Sequence, residues 1–321
     1  MRRALLFLLL IFPVLARAEM VRDATGRSVE VPAHVARVLP AGPPAAVLML
    51  AIAPDLMIGL PFSVSPEARP LLSDPAAALL KIPRLTGKDD ATDAIKALKP
   101  DLILDYGTVS PRFSALAAAM QEKTGIPTIL LDGALTDTPR VLRQLGAILH
   151  REQRAESLAV MAEALLKVAP PTGKTPTVVY ARGPDGLTVV APDTGASEVF
   201  TRLGWKVLAP AGDGWFRPSD VAAIGALDPD ILVFADPAMR AILAHSDAWR
   251  GLRAVREGHV FVAPILPFSW IEDPPSLNRL LGLAWLQGRD PGALATEFNA
   301  AFYGRALTPA QVQTIVSPVY P

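Results

Sequence analysis

The sequence predicts an α/β protein of two similar lobes, each built round a parallel sheet, joined by one long α-helix, with a ligand cleft between the lobes. Three observations predict it. The stretch Leu98-Lys99-Pro100-Asp101-Leu102-Ile103-Leu104 returns 129 residues later as Leu227-Asp228-Pro229-Asp230-Ile231-Leu232-Val233. In each copy a short helical run meets a proline that cannot continue a helix, and the unbroken apolar run that follows reads as a strand buried on both faces, as in a helix-covered parallel sheet. Between the copies, residues 138–168 hold one glycine, Gly146, and one proline, Pro139, which suits a helix's first turn. There Val141, Leu142, Leu145, Ile148, Leu149, Leu158, Met161, Leu165 and Leu166 recur at spacings of three and four, which predicts one rigid helix of about 30 residues, roughly 45 Å long.

The elements follow in order. Residues 35–39 read as a strand, Gly42-Pro43-Pro44 as a turn and 45–53 as an apolar helix. A second strand is expected over 56–60, then a polar, proline-bearing loop to Lys88. Helix 92–98 feeds strand 101–105, helix 111–124 and strand 127–131. Pro170-Pro171-Thr172-Gly173 ends the long helix. The second series is strand 177–181, helices 196–203 and 219–227, strand 230–234, helix 238–244 and strand 259–262, closed by helices 275–287 and 291–302. The expected division is a signal peptide over 1–18, a lobe over 19–137, the connecting helix over 138–169 and a second lobe over 170–321.

The first segment follows from Arg2 and Arg3, the apolar run 4–15 and the Ala16-Arg17-Ala18 cleavage signal, a run too short to span a bilayer. Removing Arg2, Arg3 and Arg17 leaves 28 basic against 31 acidic residues, a mature net charge near −3. No basic excess remains for nucleic acid or anionic lipid. With no cysteine there is neither a disulfide nor a thiolate metal site, so the exported chain must rest on its core.

Four stretches, in order, carry a resemblance to a known family: Arg22-Asp23-Ala24-Thr25-Gly26-Arg27-Ser28-Val29-Glu30-Val31-Pro32; Ala36-Arg37-Val38; Ile95-Lys96-Ala97-Leu98-Lys99-Pro100-Asp101-Leu102-Ile103-Leu104; and Trp249-Arg250-Gly251-Leu252-Arg253-Ala254-Val255-Arg256-Glu257-Gly258-His259-Val260. With the long helix they make the chain similar to the periplasmic binding proteins of ABC importers for iron-siderophores, haem and cobalamin, the helical-backbone class. The resemblance implies two Rossmann-like lobes on a rigid helix that allows limited closure, because bending a helix breaks backbone hydrogen bonds. It implies a monomeric periplasmic protein that captures an iron chelate of siderophore or haem type and delivers it to a membrane permease with its ATPase. Cobalamin or a molybdate-type oxyanion is the alternative ligand; an exported hydrolase or a ligand sensor is the alternative of a different class.

Ligands of open parallel sheets sit beyond the carboxyl ends of the strands. That rule nominates Gly42 and Pro43, Pro61 and Phe62, Tyr106 and Gly107 in the first lobe, and Arg182, Asp236 and Phe268 to Trp270 in the second. Trp270 matches by position an aromatic that cobalamin-binding relatives set beside the ligand, where a ring covers a flat chelate face at little entropic cost; otherwise it plugs the base of Pro274-Pro275. Tyr106 can donate a phenolic hydrogen bond or ligate ferric iron, or simply pack at a rim. Arg182 can pair with a carboxylate, phosphate or oxyanion, or be solvated. Trp215 and Phe216, flanked by Gly212, Gly214 and Pro218, form a loop that caps the cleft or staples the next helix.

Direct capture of zinc or manganese needs several converging ligands, and His34, His150, His245 and His259 include no close pair. A metal is therefore expected to arrive already chelated, with no metal site and no cofactor of the protein's own. The resemblance places the permease-docking acids at Asp93 and Glu198, which also suit helix N-termini by charge. No Gly-x-Ser-x-Gly, His-Glu-x-x-His or phosphate loop appears, so no enzyme is expected. Asp101 and Asp230 stand at strand starts, the wrong end for a cleft, and are read as structural bonds at the helix-strand corner.

Overall fold

Acidic and basic residues over 19–31 form a small hairpin that the sequence pattern had not announced. The computed structural model describes residues 18–82, 92–169 and 173–317, so all but the last residue of the expected leader, residues 83–91 and the expected helix stop at Pro170-Pro171-Thr172 lie outside the described residues. Strands β1 (Glu19–Arg22) and β2 (Ser28–Val31) pair antiparallel. Asp23 closes their turn by accepting from the Thr25 amide at 2.9 Å and from Arg27 Nε at 2.9 Å, while Arg27 Nη2 donates to the Thr128 carbonyl at 2.8 Å.

The first sheet is three parallel strands in the order β3 (Val38–Pro40), β4 (Leu102–Gly107), β5 (Thr128–Asp132). Helix α1 (Pro43–Ile52) is apolar on every side and buried from Ala45 to Ile52, as its composition requires. Short α2 (Asp74–Ala77), α3 (Thr92–Leu98) and α4 (Pro111–Thr124) follow; α4 starts on a Ser110 cap and stops at Gly125, whose φ of 73° is a left-handed C-terminal turn. The strand expected over 56–60 is reduced to two isolated bridges, Met57 to Val38 and Leu60 to Lys81.

The single 138–169 helix is corrected. Helices α5 (Thr138–Ile148) and α6 (Glu152–Leu165) are separated by a turn in which His150 takes φ 53°, and they fold back on each other. Arg143 of α5 meets Glu156 and Glu163 of α6 at 2.6 Å each. Gly146 makes the close approach possible, since a Cβ there would lie 2.2 Å from that of Ala155. The apolar spacing that read as one stripe belongs to two helices whose stripes face the same core. The span left for crossing to the second sheet is α6, about 21 Å at 1.5 Å per residue.

The second sheet runs β11-β10-β6-β7-β9: β6 (Thr177–Arg182), β7 (Thr188–Val190), β9 (Phe216–Pro218), β10 (Ile231–Phe234) and β11 (Val260–Val262), with β8 (Lys206–Val207) beside the start of β6. Strands β6, β10, β11 and β8 are parallel; β7 and β9 run antiparallel to their neighbours. Its helices are α7 (Glu198–Arg202), α8 (Val221–Ala226), α9 (Met239–His245), α10 (Asp247–Arg250) and α11 (Arg253–Arg256), followed by α12 (Arg279–Leu286), α13 (Pro291–Phe302) and α14 (Pro309–Val316).

The expectation that 170–321 forms the second lobe by itself is also corrected. The C-terminal helices return to the first lobe, where Asn299 Nδ2 donates to the Leu71 carbonyl at 2.8 Å and the Ser73 amide to the Tyr303 carbonyl at 3.0 Å. One apolar core consequently runs through Val38 and Leu104 of the first sheet, Leu145 and Leu158 of the helical hairpin, Val178 and Tyr180 of the second sheet, and Phe298. The repeated sequence has a repeated structure. Lys99 and Asp228 both take left-handed φ, 48° and 44°, before the proline. Asp101 then accepts from the Ala36 and Arg37 amides at 2.8 Å each, and Asp230 from the Thr177 amide and hydroxyl at 2.9 Å each, the structural role expected of both.

Candidate functional site

Beyond the carboxyl ends of β3, β4 and β5 lies a cavity of about 620 Å³. Its first-lobe wall is Gly42 and Pro43 after β3, Asp105 to Val109 at the end of β4, and Asp132 to Ala134 after β5, with Phe113 of α4. Across from them stand Asp193 to Gly195, Glu198, Thr201 and Trp215 of the second lobe, with Pro275 and Arg279 between. Gly133 sets two of these loops side by side: its amide donates to the Gly107 carbonyl at 2.7 Å, and a Cβ there would fall 2.5 Å from the Gly107 backbone.

Arg279, at the start of apolar α12, is 1% exposed. Its Nε donates to the Ser276 carbonyl at 3.1 Å and its Nη1 to Gly195 O at 3.2 Å and to Glu198 Oε2 at 2.6 Å; Nη2 donates to Gly133 O. Glu198 Oε1 in turn accepts from the Leu135 amide at 2.7 Å. One buried guanidinium therefore ties the loop after β5 to the loop before α7, and its charge is met inside the protein.

Tyr106 is 2% exposed and lines the cavity, yet its hydroxyl has no hydrogen-bond partner of good geometry. Burial pushes the phenol above its ordinary value, opposed by nearby Arg279 and Thr138. Burial likewise raises Asp105, against the hydrogen bond its carboxylate accepts from the Tyr106 amide at 2.9 Å.

Of the residues expected in the cleft, Gly42, Pro43, Tyr106, Gly107 and Trp215 line this cavity. Several do not. Trp270 is fully buried, donates from Nε1 to the Leu266 carbonyl at 3.3 Å and meets Trp285 edge-on. Phe268 is buried with its ring edge-on to Phe62 and Tyr303, at 5.8 and 5.5 Å between centroids. These aromatics fill the core where the C-terminal segment returns to the first lobe, so Phe62, Phe268 and Trp270 are corrected from ligand contacts to packing residues.

Arg182 is committed within the protein, 2.5 Å from Glu272 and 3.5 Å from Asp273, under the Phe216 ring at 4.5 Å from its centroid. It lines a second cavity of about 560 Å³ with Asp236, Ile265 and Asp273, at the carboxyl ends of β6 and β10. Arg182 and Phe216 thus partner each other away from the main cavity. Desolvation lifts Glu272 to about 7, opposed by Arg182 and helped by Asp273. Glu198 is corrected from a docking acid to part of the cavity wall, while Asp93 stands exposed in the first turn of α3. Among the described residues no cluster of three or more His, Cys, Asp or Glu can hold a metal.

The strand-end rule would have found Asp132 had it been applied to β5 as well. Arg279 had a quieter signal, a lone charge opening the apolar run Leu280 to Leu286. Glu198 was singled out for its helix position and carried no mark of its partner 81 residues on.

The periplasmic binding protein family model matches residues 61–265. Three solved structures share the fold. An ABC transporter solute binding protein from Sulfurospirillum deleyianum is 22% identical with a TM-score of 0.84, over 94% of this chain and 100% of that one. The molybdate periplasmic binding protein MolA of a Haemophilus influenzae ABC transporter, bound to molybdate, is 16% identical with a TM-score of 0.66, over 91% and 99%. A periplasmic heme binding protein from Pseudomonas aeruginosa is 23% identical with a TM-score of 0.54, over 85% and 94%. No curated protein matches the sequence. The family and these neighbours are solute-binding proteins rather than enzymes, and no helix among the described residues is long and apolar enough to cross a membrane. With the family model covering more than half its length and strand-end loops of both lobes bordering one cleft, the chain belongs to the periplasmic binding protein family.

Proposed function

We propose that this protein captures an iron chelate of siderophore or haem type in the cavity between Tyr106 and Trp215 and delivers it to a membrane permease with its ATPase. The carrying observation is the cavity itself. A volume of about 620 Å³ walled by Ala41, Pro43, Val109, Phe113 and Trp215 has the size and apolar lining of a site for a bulky organic ligand. Exposed large apolar side chains gather there: Val109 and Trp215 at this cavity, Ile265 at its neighbour and Phe216 on Arg182. The resident arginine is occupied by protein acceptors, which favours a chelate over a bare oxyanion.

Export through the leader over 1–18 and action as a monomer complete the reading. Asp93 is the docking acid it retains, on an exposed helix end open to a permease arginine; Asp93→Lys should leave ligand affinity intact and lower uptake. Tryptophan emission titrated with ferric siderophores, haem, cobalamin and molybdate tests the ligand. Saturable quenching by an iron chelate, lost in Trp215→Phe, supports the proposal. A response to molybdate or to cobalamin alone contradicts it.

A further inference from the structure

The cavity has a charge, and that charge selects among chelates. Among its described lining residues are four carboxylates, on Asp105, Asp132, Asp193 and Glu198, against the single cation Arg279, a formal net charge of −3 (1 − 4). Arg279 faces Glu198 and two backbone carbonyls of the loops it ties, so little of its field reaches the cavity. Just outside the lining, Arg140 acts on Asp132 but is paired with Asp137 at 3.2 Å, and Arg112 lies above the Phe113 ring at 5.9 Å, which leaves the region acidic when all three are counted. The second cavity repeats the pattern, with Arg182 against Asp236 and Asp273. The carboxylates do not converge into a metal cage. They set a field for a whole ligand rather than bind its metal.

Resting on the reading of the cavity as a chelate site, we infer that the ligand is a metal chelate of zero or positive net charge and that the cavity repels anionic chelates. Like charges across a desolvated site cost more than they do in water, so the acidic wall works mainly by exclusion.

The test varies charge at constant shape. Ferrioxamine B, its N-acetyl derivative and its N-succinyl derivative keep one iron cage while their net charge falls from positive through zero to negative. Calorimetric titration at low salt should rank them in that order, with at least a tenfold difference in Kd between the first and the last. The difference should shrink at high salt and in an Asp132→Asn/Asp193→Asn variant. Asn at 193 keeps the left-handed backbone, φ 58°, that Asp now holds. Equal or tighter binding of the succinyl derivative overturns the charge inference while leaving chelate capture standing. So does binding of trianionic ferric enterobactin when all three ferrioxamines fail. Failure of every chelate, anionic ones included, overturns the capture reading and this inference with it.

Discussion

Arg279 reaches both halves of the molecule through one guanidinium, and the cost of removing it follows from what it leaves behind. Arg279→Leu would strand the Glu198 carboxylate and the Gly133 and Gly195 carbonyls. We expect a loss of about 3–5 kcal/mol in urea unfolding, of which Arg279→Lys restores only part because an ammonium cannot reproduce the planar fork. Glu272 gives a pH signature. Below its ordinary value of 4.5 it is protonated whether the chain is folded or not. Between 4.5 and about 7 the unfolded chain releases the proton and the folded chain keeps it, so stability falls as pH rises, by on the order of 3 kcal/mol, and then levels off. Glu272→Gln should flatten that slope; an unchanged slope would show that the buried carboxyl is not its source. At this scale Gly42, Pro43 and Tyr106 were legible because strand ends are local. Trp270 and Phe268 were not, because only the return of the C-terminal chain buries them.

At the scale of elements, the helix-Pro-Asp-strand phrase was read correctly twice because each copy carries its own stop and its own apolar run. The helical hairpin was misread for a definable reason: Leu149-His150-Arg151 holds no glycine or proline, and the turn rests on the left-handed His150 backbone, with the Arg151 amide donating to the Gly146 carbonyl at 2.7 Å. Gly146 is where the hairpin is most sensitive. Gly146→Val would press a branched side chain into Ala155 and should lower stability by about 1–3 kcal/mol. Thermal unfolding of Gly146→Val, alone and with Ala155→Gly, measures this, and the second change should recover part of the loss. Independent, additive effects would mean that the two helices do not meet at this point.

Across the whole molecule, one core threads both sheets and the hairpin, and Arg279, Glu198 and Leu135 tie the lobes at the cavity. We expect this shared core, rather than a long helix, to restrain the lobes. Ligand binding should therefore move loops such as the one bearing Trp215 more than it rotates lobes. Small-angle scattering should show a nearly unchanged radius of gyration on binding, and a large fall would mean that the ties at Arg279 open. The two-lobe α/β plan was visible in the sequence, whereas the ties between lobes depend on partners dozens of residues apart that no local pattern marks. The claim on which the rest depends is where the ligand sits, and a crystal structure grown with the tightest-binding chelate measures it directly. The account predicts density in the cavity between Tyr106 and the Trp215 ring, with Arg279 still bonded to Glu198. A chelate seated instead against Arg182 in the neighbouring cavity, or on the outer surface, would contradict it.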